Sequence, residues 1–458
     1  MKMTAGKIHA SQIDDYVAEC DARFGGIQTP EWLAFVSDFE LVCDTKVDLT
    51  LDPFSDDYFQ QQLALHGELT GRDFNQELNE LVPINISANA AGQNPYNSTN
   101  IALISHHAAT LAIALRLAAP PSGAKILDLG VGTGMSSELM AYCGATVTAV
   151  DISPSFIDLI RTRADKSGLP ITAKLSSFDA YDDVPETYDM AMFFASLHHG
   201  TRPWDILRKI ARLVKPGGKI VLAAEPIQKL WWPYWGLRLD AESVYVARKY
   251  GWFESGWSEL FLRKMFHDIG FKLDVSYIDP NLIEGAAIAV GYKSNDIPPV
   301  FSIDLPVIPR RSKLQFGASA KGLQYLTHGW SAASDIWGTW SSGSNSGFLL
   351  ALPPGDAWTF NVEVHPMVGP DHPKQDVEIV ANGVPIKSVS IAGNNRSFTM
   401  QETSIFQFDF TRQQISLRHS CRTVEMIFRY PDATKAQNIG RGSDPRLLAI
   451  GLVSLEIV

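Results

Sequence analysis

The chain has 458 residues, enough for two or three domains, and its 45% hydrophobic and 19% charged residues are an ordinary globular composition. A formal net charge of −11 argues against a duplex nucleic acid as partner, because such proteins present a basic face. The four cysteines, Cys20, Cys43, Cys143 and Cys421, form no CxxC pair and no zinc-like cluster, which predicts reduced, mostly buried thiols.

At the N-terminal end, Lys2 and Lys7 are not followed by an apolar core; Asp14, Asp15 and Glu19 stand where a signal peptide needs one. A cytoplasmic location is the expectation. Residues 1–118 are predicted to form a mostly helical cap. Helical spacing of apolar residues runs through 56–69 and 73–82, Pro83, Asn94 and Pro95 break it, and another helix follows from about Thr99 to Leu117. The stretch Ile101–Pro120 is the most apolar, but it carries His106, His107 and Arg116. It is expected to be a buried amphipathic helix rather than a membrane span.

Residues 119–295 alternate short apolar runs (KILDLG, TVTAVDI, ITAKL, YDMAMFFA, GKIVLAAE, KLDVSYI, AAIAVGY) with helical stretches, the pattern of a parallel sheet covered on both faces. Within it, ILDLGVGTG runs from Ile126 to Gly134. A strand ends there and a helix begins, with glycines that let the backbone approach a ligand more closely than a Cβ would allow. The helix N-terminus offers free N–H groups to an anion. A second strand ends in the acid Asp151, about 20 residues on, where a ribose diol would lie. Asp179 follows the third strand, and VKPGGK at 214–219 precedes the fifth.

Across 124–224 these features resemble the motifs of class I methyltransferases, in order and spacing. Two observations argue against the competing dinucleotide-binding domain: the glycines read GxGxG rather than GxGxxG, and the KPGG turn is of the methyltransferase type. The resemblance implies S-adenosylmethionine as cofactor. Asp128, Gly130, Gly132 and Gly134 would surround its methionine end, Asp151 would bind the ribose, Asp179 the adenine side, and Ile152 would pack on the adenine. Phe194 and Ala195 would line the pocket near the sulfonium.

Methyl transfer to a hydroxyl also needs a proton acceptor. The fourth strand runs into Ser196-Leu-His-His-Gly200, so His198 or His199 is the candidate, with Glu225 at the end of the fifth strand as rival. Pocket-wall histidines and a capping glutamate are the plainer alternatives. Trp231, Trp232, Tyr234, Trp235 and Arg238 then form an aromatic-rich insertion expected to shape the acceptor pocket, with Tyr96 closing over it from the N-terminal region. Trp252, Phe253 and Trp257 continue the aromatic run. Neither His106-His107 nor His365 and His372 shows metal-ligand spacing, so no metal is expected.

Residues 296–311 form a linker containing Pro298, Pro299, Pro306 and Pro309. Beyond it, 312–458 reads as short strands divided by Gly, Pro and Asn, with Asn382-Gly383 a strong hairpin signal. A separate all-β sandwich of jelly-roll type is expected. Its GWSAASDIWGTWSSG, VGPDHPKQDVEIVANG and SDPRLLAIGLVSLEIV segments resemble a module of bacterial surface-polysaccharide biosynthesis proteins. That resemblance implies a glycan acceptor, with Trp330, Trp337 and Trp340 either a sugar-stacking platform or sandwich core. The expected protein is thus an O-methyltransferase acting on a sugar or glycan hydroxyl. Two alternatives stay open: a lipid-like or polyketide acceptor, and a non-catalytic cofactor-binding assembly protein.

Overall fold

The computed structural model describes residues 6–27, 29–37, 39–48, 51–75, 78, 81, 84–228, 235–278, 287–297, 305–327, 329–331, 334–392, 403–417, 422–442, 444 and 446–458. The chain divides into two compact units, the larger running to Phe301 apart from two short segments, the second from Ser302 to Val458.

A seven-stranded sheet forms the core of the larger unit. Lys125–Leu129 (β1), Thr146–Asp151 (β2), Ile171–Leu175 (β3), Tyr188–Phe194 (β4) and Val214–Ala223 (β5) run parallel. Phe271–Tyr277 (β6) and Ala287–Lys293 (β7) pair antiparallel, and β7 inserts antiparallel beside β5. The resulting order is β6-β7-β5-β4-β1-β2-β3. Strand order therefore reverses between β1 and β4, and such a reversal opens a crevice at the carboxyl ends of those two strands. Met190, Ala191, Met192 and Phe193 are all completely buried. Both faces of β4 are covered, which is why its sequence reads as a continuous apolar run. The expected KPGG turn is instead a bulge inside β5: pairing jumps from Tyr188–Val214 to Met190–Lys219, and Gly217 takes φ +74°.

Helices Ile13–Phe24 (α1), Asp56–Thr70 (α2), Ile101–Ala118 (α3), Met135–Tyr142 (α4), Pro154–Ser167 (α5), Pro203–Leu213 (α6), Ala241–Tyr250 (α7) and Glu259–Asp268 (α8) belong to the same unit. The N-terminal region is not a detached cap. Tyr16 donates its hydroxyl to the Ala241 carbonyl (2.9 Å), Tyr58 to that of Trp235 (2.6 Å), and the His66 ring meets the Gly251 carbonyl (3.2 Å). Ser55 caps α2 through the Tyr58 amide, and Gly71 closes it at φ +67°. The helix expected at 73–82 falls largely outside the described residues. Helix α3 is long and apolar enough to cross a membrane by length and composition, yet only Thr110, Leu111, Ala114 and Ala118 are buried. Of the buried amphipathic helix expected here, the amphipathic packing is seen, one narrow stripe facing inward, but the helix is not buried as a whole and Ile101 is largely exposed. Cys20 and Cys43 are buried, but Cys143 is exposed, against expectation, and Cys421 lies outside the described residues.

In the second unit, strands Lys313–Gln315 (β8), Asn345–Ala351 (β9), Ala357–Pro366 (β10), Lys374–Ala381 (β11), Val384–Ala392 (β12), Ser404–Thr411 (β13), Thr423–Arg429 (β14) and Ile450–Ile457 (β15) make two antiparallel sheets. Their orders are β8-β15-β10-β13 and β9-β14-β11-β12. First beside last in one sheet and second beside next-to-last in the other is jelly-roll connectivity. Phe348, Phe360, Phe408 and Phe428 fill the shared core, with Phe360 stacked on Phe408 at 4.9 Å. Asn382 and Gly383 both take positive φ (47° and 77°), the paired left-handed geometry of a type I′ turn between β11 and β12. Trp330 belongs to this core, its indole N–H bonded to the Gly347 carbonyl (2.7 Å). Trp337 and Trp340 are half-buried and meet edge to face at 5.5 Å.

Candidate active site

The glycine-rich turn leaves β1 toward α4 with Gly130, Gly132 and Gly134 all at positive φ (69°, 51° and 96°). At Gly130 a side chain would also fail on space, because a Cβ there would sit 2.5 Å from that of Ser196. Asp128 is fully buried. Its Oδ2 accepts from the hydroxyls of Ser136 (2.7 Å) and Ser137 (2.6 Å), so it fixes the first turn of α4, and burial pushes its carboxyl up to about 6. Asp151, at the end of β2, accepts from the Gly132 amide (2.9 Å) and the Ser153 amide (2.8 Å). Burial pushes it too up to about 6, against the pull of those amides and of nearby His199.

These groups border a cavity of about 370 Å³ at the β1–β4 crevice, within the roughly 300–1,000 Å³ of small-molecule sites. One wall is Gly130, Gly132, Asp151 and Ile152, with Phe156, Ser176, Ser177 and Phe178 beside it; Ala195, Ser196, His199, Tyr250 and Trp252 close the other. The open cradle at Gly132, the acid beside it and the apolar Ile152, Phe156 and Phe178 suit a ribose, an adenine and an amino-acid tail. Those residues would hold S-adenosylmethionine, which supplies a methyl group on a positively charged sulfur.

Tight turns end both β4 and β5: Ala195 (φ 48°) and Ala224 (φ 55°) are left-handed, and the Ala195 amide bonds the Ala223 carbonyl (2.9 Å). Behind them, Glu225 is fully buried. It accepts from the amides of Ser196 and Leu197 (both 2.8 Å) and His198 (3.2 Å), and from His198 Nδ1 (2.8 Å). Although burial works against ionisation, the imidazole and these amides hold its carboxyl below the usual range. Glu225 thus caps the helical turn 197–199 and does not line the cavity. His198 is buried with Nε2 3.7 Å from Glu254 Oε2, while His199 forms cavity wall, edge-on to Trp252 at 5.6 Å.

Several expected contacts fall elsewhere. Asp179 is exposed at the surface, and Ser176, Ser177 and Phe178 occupy the wall in its place. Phe194 points into the core beneath the sheet, where His107 meets it edge to face at 5.5 Å. The Tyr96 hydroxyl and His107 Nδ1 share a hydrogen bond (2.9 Å), away from the cavity wall. Trp235 is completely buried, its indole bonded to the Pro53 carbonyl (2.7 Å), and Arg238 is buried against Asp240 (2.8 Å). Both are core residues of the insertion, not pocket residues. Trp231, Trp232 and Tyr234 lie outside the described residues. Sequence reasoning passed over Tyr250 and Glu254, and named Trp252 only within the aromatic run. The aromatic run was visible, but only the turn after α7 decides which rings reach the crevice.

Parallel strands reversing at β1, an antiparallel β7 beside β5, and a glycine cradle facing Asp151 define a class I methyltransferase domain, whose cofactor is S-adenosylmethionine. Residues 126–218 match the family described as Methyltransferase domain. The ubiquinone biosynthesis O-methyltransferase of Xanthomonas euvesicatoria pv. vesicatoria is 37% identical over 103 residues, 22% of this chain and 43% of that one. Its counterpart from Xanthomonas campestris pv. campestris is 36% identical over 112 residues, 24% of this chain and 46% of its own. The match therefore spans less than half the length of these relatives. Among solved structures, the Burkholderia thailandensis 1,6-didemethyltoxoflavin-N1-methyltransferase aligns over 46% of this chain and 85% of its own, at 18% identity and a TM-score of 0.34.

Proposed function

We propose that this chain is an S-adenosylmethionine-dependent O-methyltransferase whose acceptor is a hydroxyl of a sugar or glycan end. The observation that carries the acceptor class is the wall formed by Tyr250, Trp252 and His199. The two aromatic rings lie 5.0 Å apart, and rings of this kind stack on the faces of sugars. The Trp252 indole N–H is buried and has no acceptor among the described residues, so a ligand hydroxyl oxygen would satisfy it. A balanced reaction moves the methyl group from sulfur to oxygen, releasing the thioether and a proton. The chain's part is to hold the two reactants in line and exclude water. Of the three expected proton acceptors, His199 is the one that borders the cavity.

A phenolic or lipid-like acceptor is the second reading, favoured by the name of the Xanthomonas relatives and by the apolar Phe178 in the wall. Labelled S-adenosylmethionine offered with a panel of sugars and a panel of phenols tests both. Methylation of sugars alone supports the proposal; methylation of phenols alone replaces it. Calorimetry should show S-adenosylmethionine binding, weakened by about 1–3 kcal/mol in Asp151→Ala. Binding of NAD instead would remove the basis of the proposal.

A further inference from the structure

Beside the cofactor cavity, three groups from separate parts of the chain converge. His198 and His199 come from the turn after β4, and Glu254 from the segment after α7. One nitrogen or oxygen from each lies within 4.8 Å of the other two. His198 and Glu254 are buried and His199 is half-buried. His198 and Glu254 are each 7% exposed, and His198 Nε2 stands 3.7 Å from Glu254 Oε2, too far for a direct hydrogen bond. Arg238 Nη1 is also 3.7 Å from Glu254, and its other nitrogen is bonded to Asp240 (2.8 Å).

That spacing has a simple meaning if an ion sits between the groups. Two ligands each 2.0–2.1 Å from a tetrahedral centre are roughly 3.4 Å apart. The His198–Glu254 separation needs to shrink by only a few tenths of an ångström. The surroundings fit as well. His198 Nδ1 faces the buried Glu225 carboxylate at 2.8 Å, which places the proton on Nδ1 and leaves the Nε2 lone pair turned to Glu254. A carboxylate behind an imidazole is the usual second layer of a metal site. His199, meanwhile, is part of the cavity wall, so an ion here would keep a coordination position open to whatever the cavity holds.

We propose that His198, His199 and Glu254 bind a divalent first-row transition ion of the zinc type, with its open position facing the cavity and taking the acceptor's hydroxyl. Two imidazoles and one carboxylate select an ion of that class over magnesium or calcium, which favour all-oxygen shells. The ion lowers the hydroxyl's pKa as a Lewis acid. The proton leaves to solvent, an oxygen lone pair forms the bond to the methyl carbon, and the carbon–sulfur pair stays on sulfur. The ion's role rests on the hydroxyl-methylation reading; its binding does not.

The test uses the full chain, stripped with a chelator and titrated with Co²⁺ by visible absorption and with Zn²⁺ by calorimetry. One equivalent of Co²⁺ should bind, with the intense bands of a low-coordinate site, and Zn²⁺ should displace it. His199→Ala, at the cavity wall, and Glu254→Gln should each weaken binding at least about tenfold. His107→Gln, outside the cluster, should leave it unchanged, and circular dichroism checks that each variant is folded. Absence of stoichiometric binding, or binding indifferent to both His199→Ala and Glu254→Gln, overturns the site. Full turnover by the stripped protein overturns the ion's role. Stoichiometric binding without methylation of any hydroxyl upholds the site and removes the methylation reading instead.

Discussion

Asp151 carries the clearest consequence at the scale of one residue. Its carboxyl is pushed up from 3.8 to about 6 because burial costs the ion more than two amides return. A ribose diol donates to the ionised form, so cofactor affinity should fall as pH drops through about 6, approaching tenfold per pH unit, and Asp151→Asn should flatten that dependence. Calorimetry between pH 5 and 8 measures both. The sign for stability is opposite. A folded pKa above the unfolded one means that the native state holds more protons between about 4 and 6, so stability from Asp151 and Asp128 is lost as pH rises across that window. Gly130 gives a second prediction. With φ +69° and a Cβ position 2.5 Å from that of Ser196, Gly130→Ala should abolish measurable cofactor binding and lower Tm by several degrees. Gly132, which has open space around it, should tolerate alanine better, at a backbone cost of about 1–2 kcal/mol.

Among the elements, the turn at 197–199 depends on a single buried side chain. Glu225→Gln removes the charge that four donors share, including the ring of buried His198, and should cost about 3–5 kcal/mol of stability, read as a fall in Tm. Normal stability in that variant would show that the turn holds without it. This is also where the sequence was least informative. The strands of the sheet announced themselves by apolar runs, and Gly130, Gly132 and Asp151 by spacing, because those positions are dictated by local backbone geometry. Glu225, by contrast, sits 27 to 29 residues from the atoms it caps, and only the adjacency of β4 and β5 brings them together. Asp179 misled for the converse reason. It lies at the expected distance along the chain, but the turn after β3 directs Phe178 inward and leaves Asp179 outside. The second unit's strands were legible from alternation, and its hairpin from Asn382-Gly383, since type I′ turns demand those residues.

Taken whole, the molecule holds two independent cores. The second unit closes its aromatic cluster with its own residues, so a fragment from Ser302 to Val458 should be soluble, β-rich by circular dichroism and cooperative in melting. A fragment that fails to melt cooperatively would mean that the core needs residues from the first part of the chain. In the larger unit the connectivity is of another kind. Helices α1 and α2 are complete by residue 70, yet the carbonyls they bind belong to Trp235, Ala241 and Gly251. On a ribosome extending the chain by about 5–20 residues per second, these partners emerge roughly 10–40 s later. For that interval Tyr16 and Tyr58, both buried in the finished protein, lack the carbonyls that accept their hydroxyls. Helices α1 and α2 are therefore secured only after residues 235–251 have been made. Stalled nascent chains ending before residue 225 should be cut by protease within α1 and α2, and chains extended beyond residue 270 should be protected there.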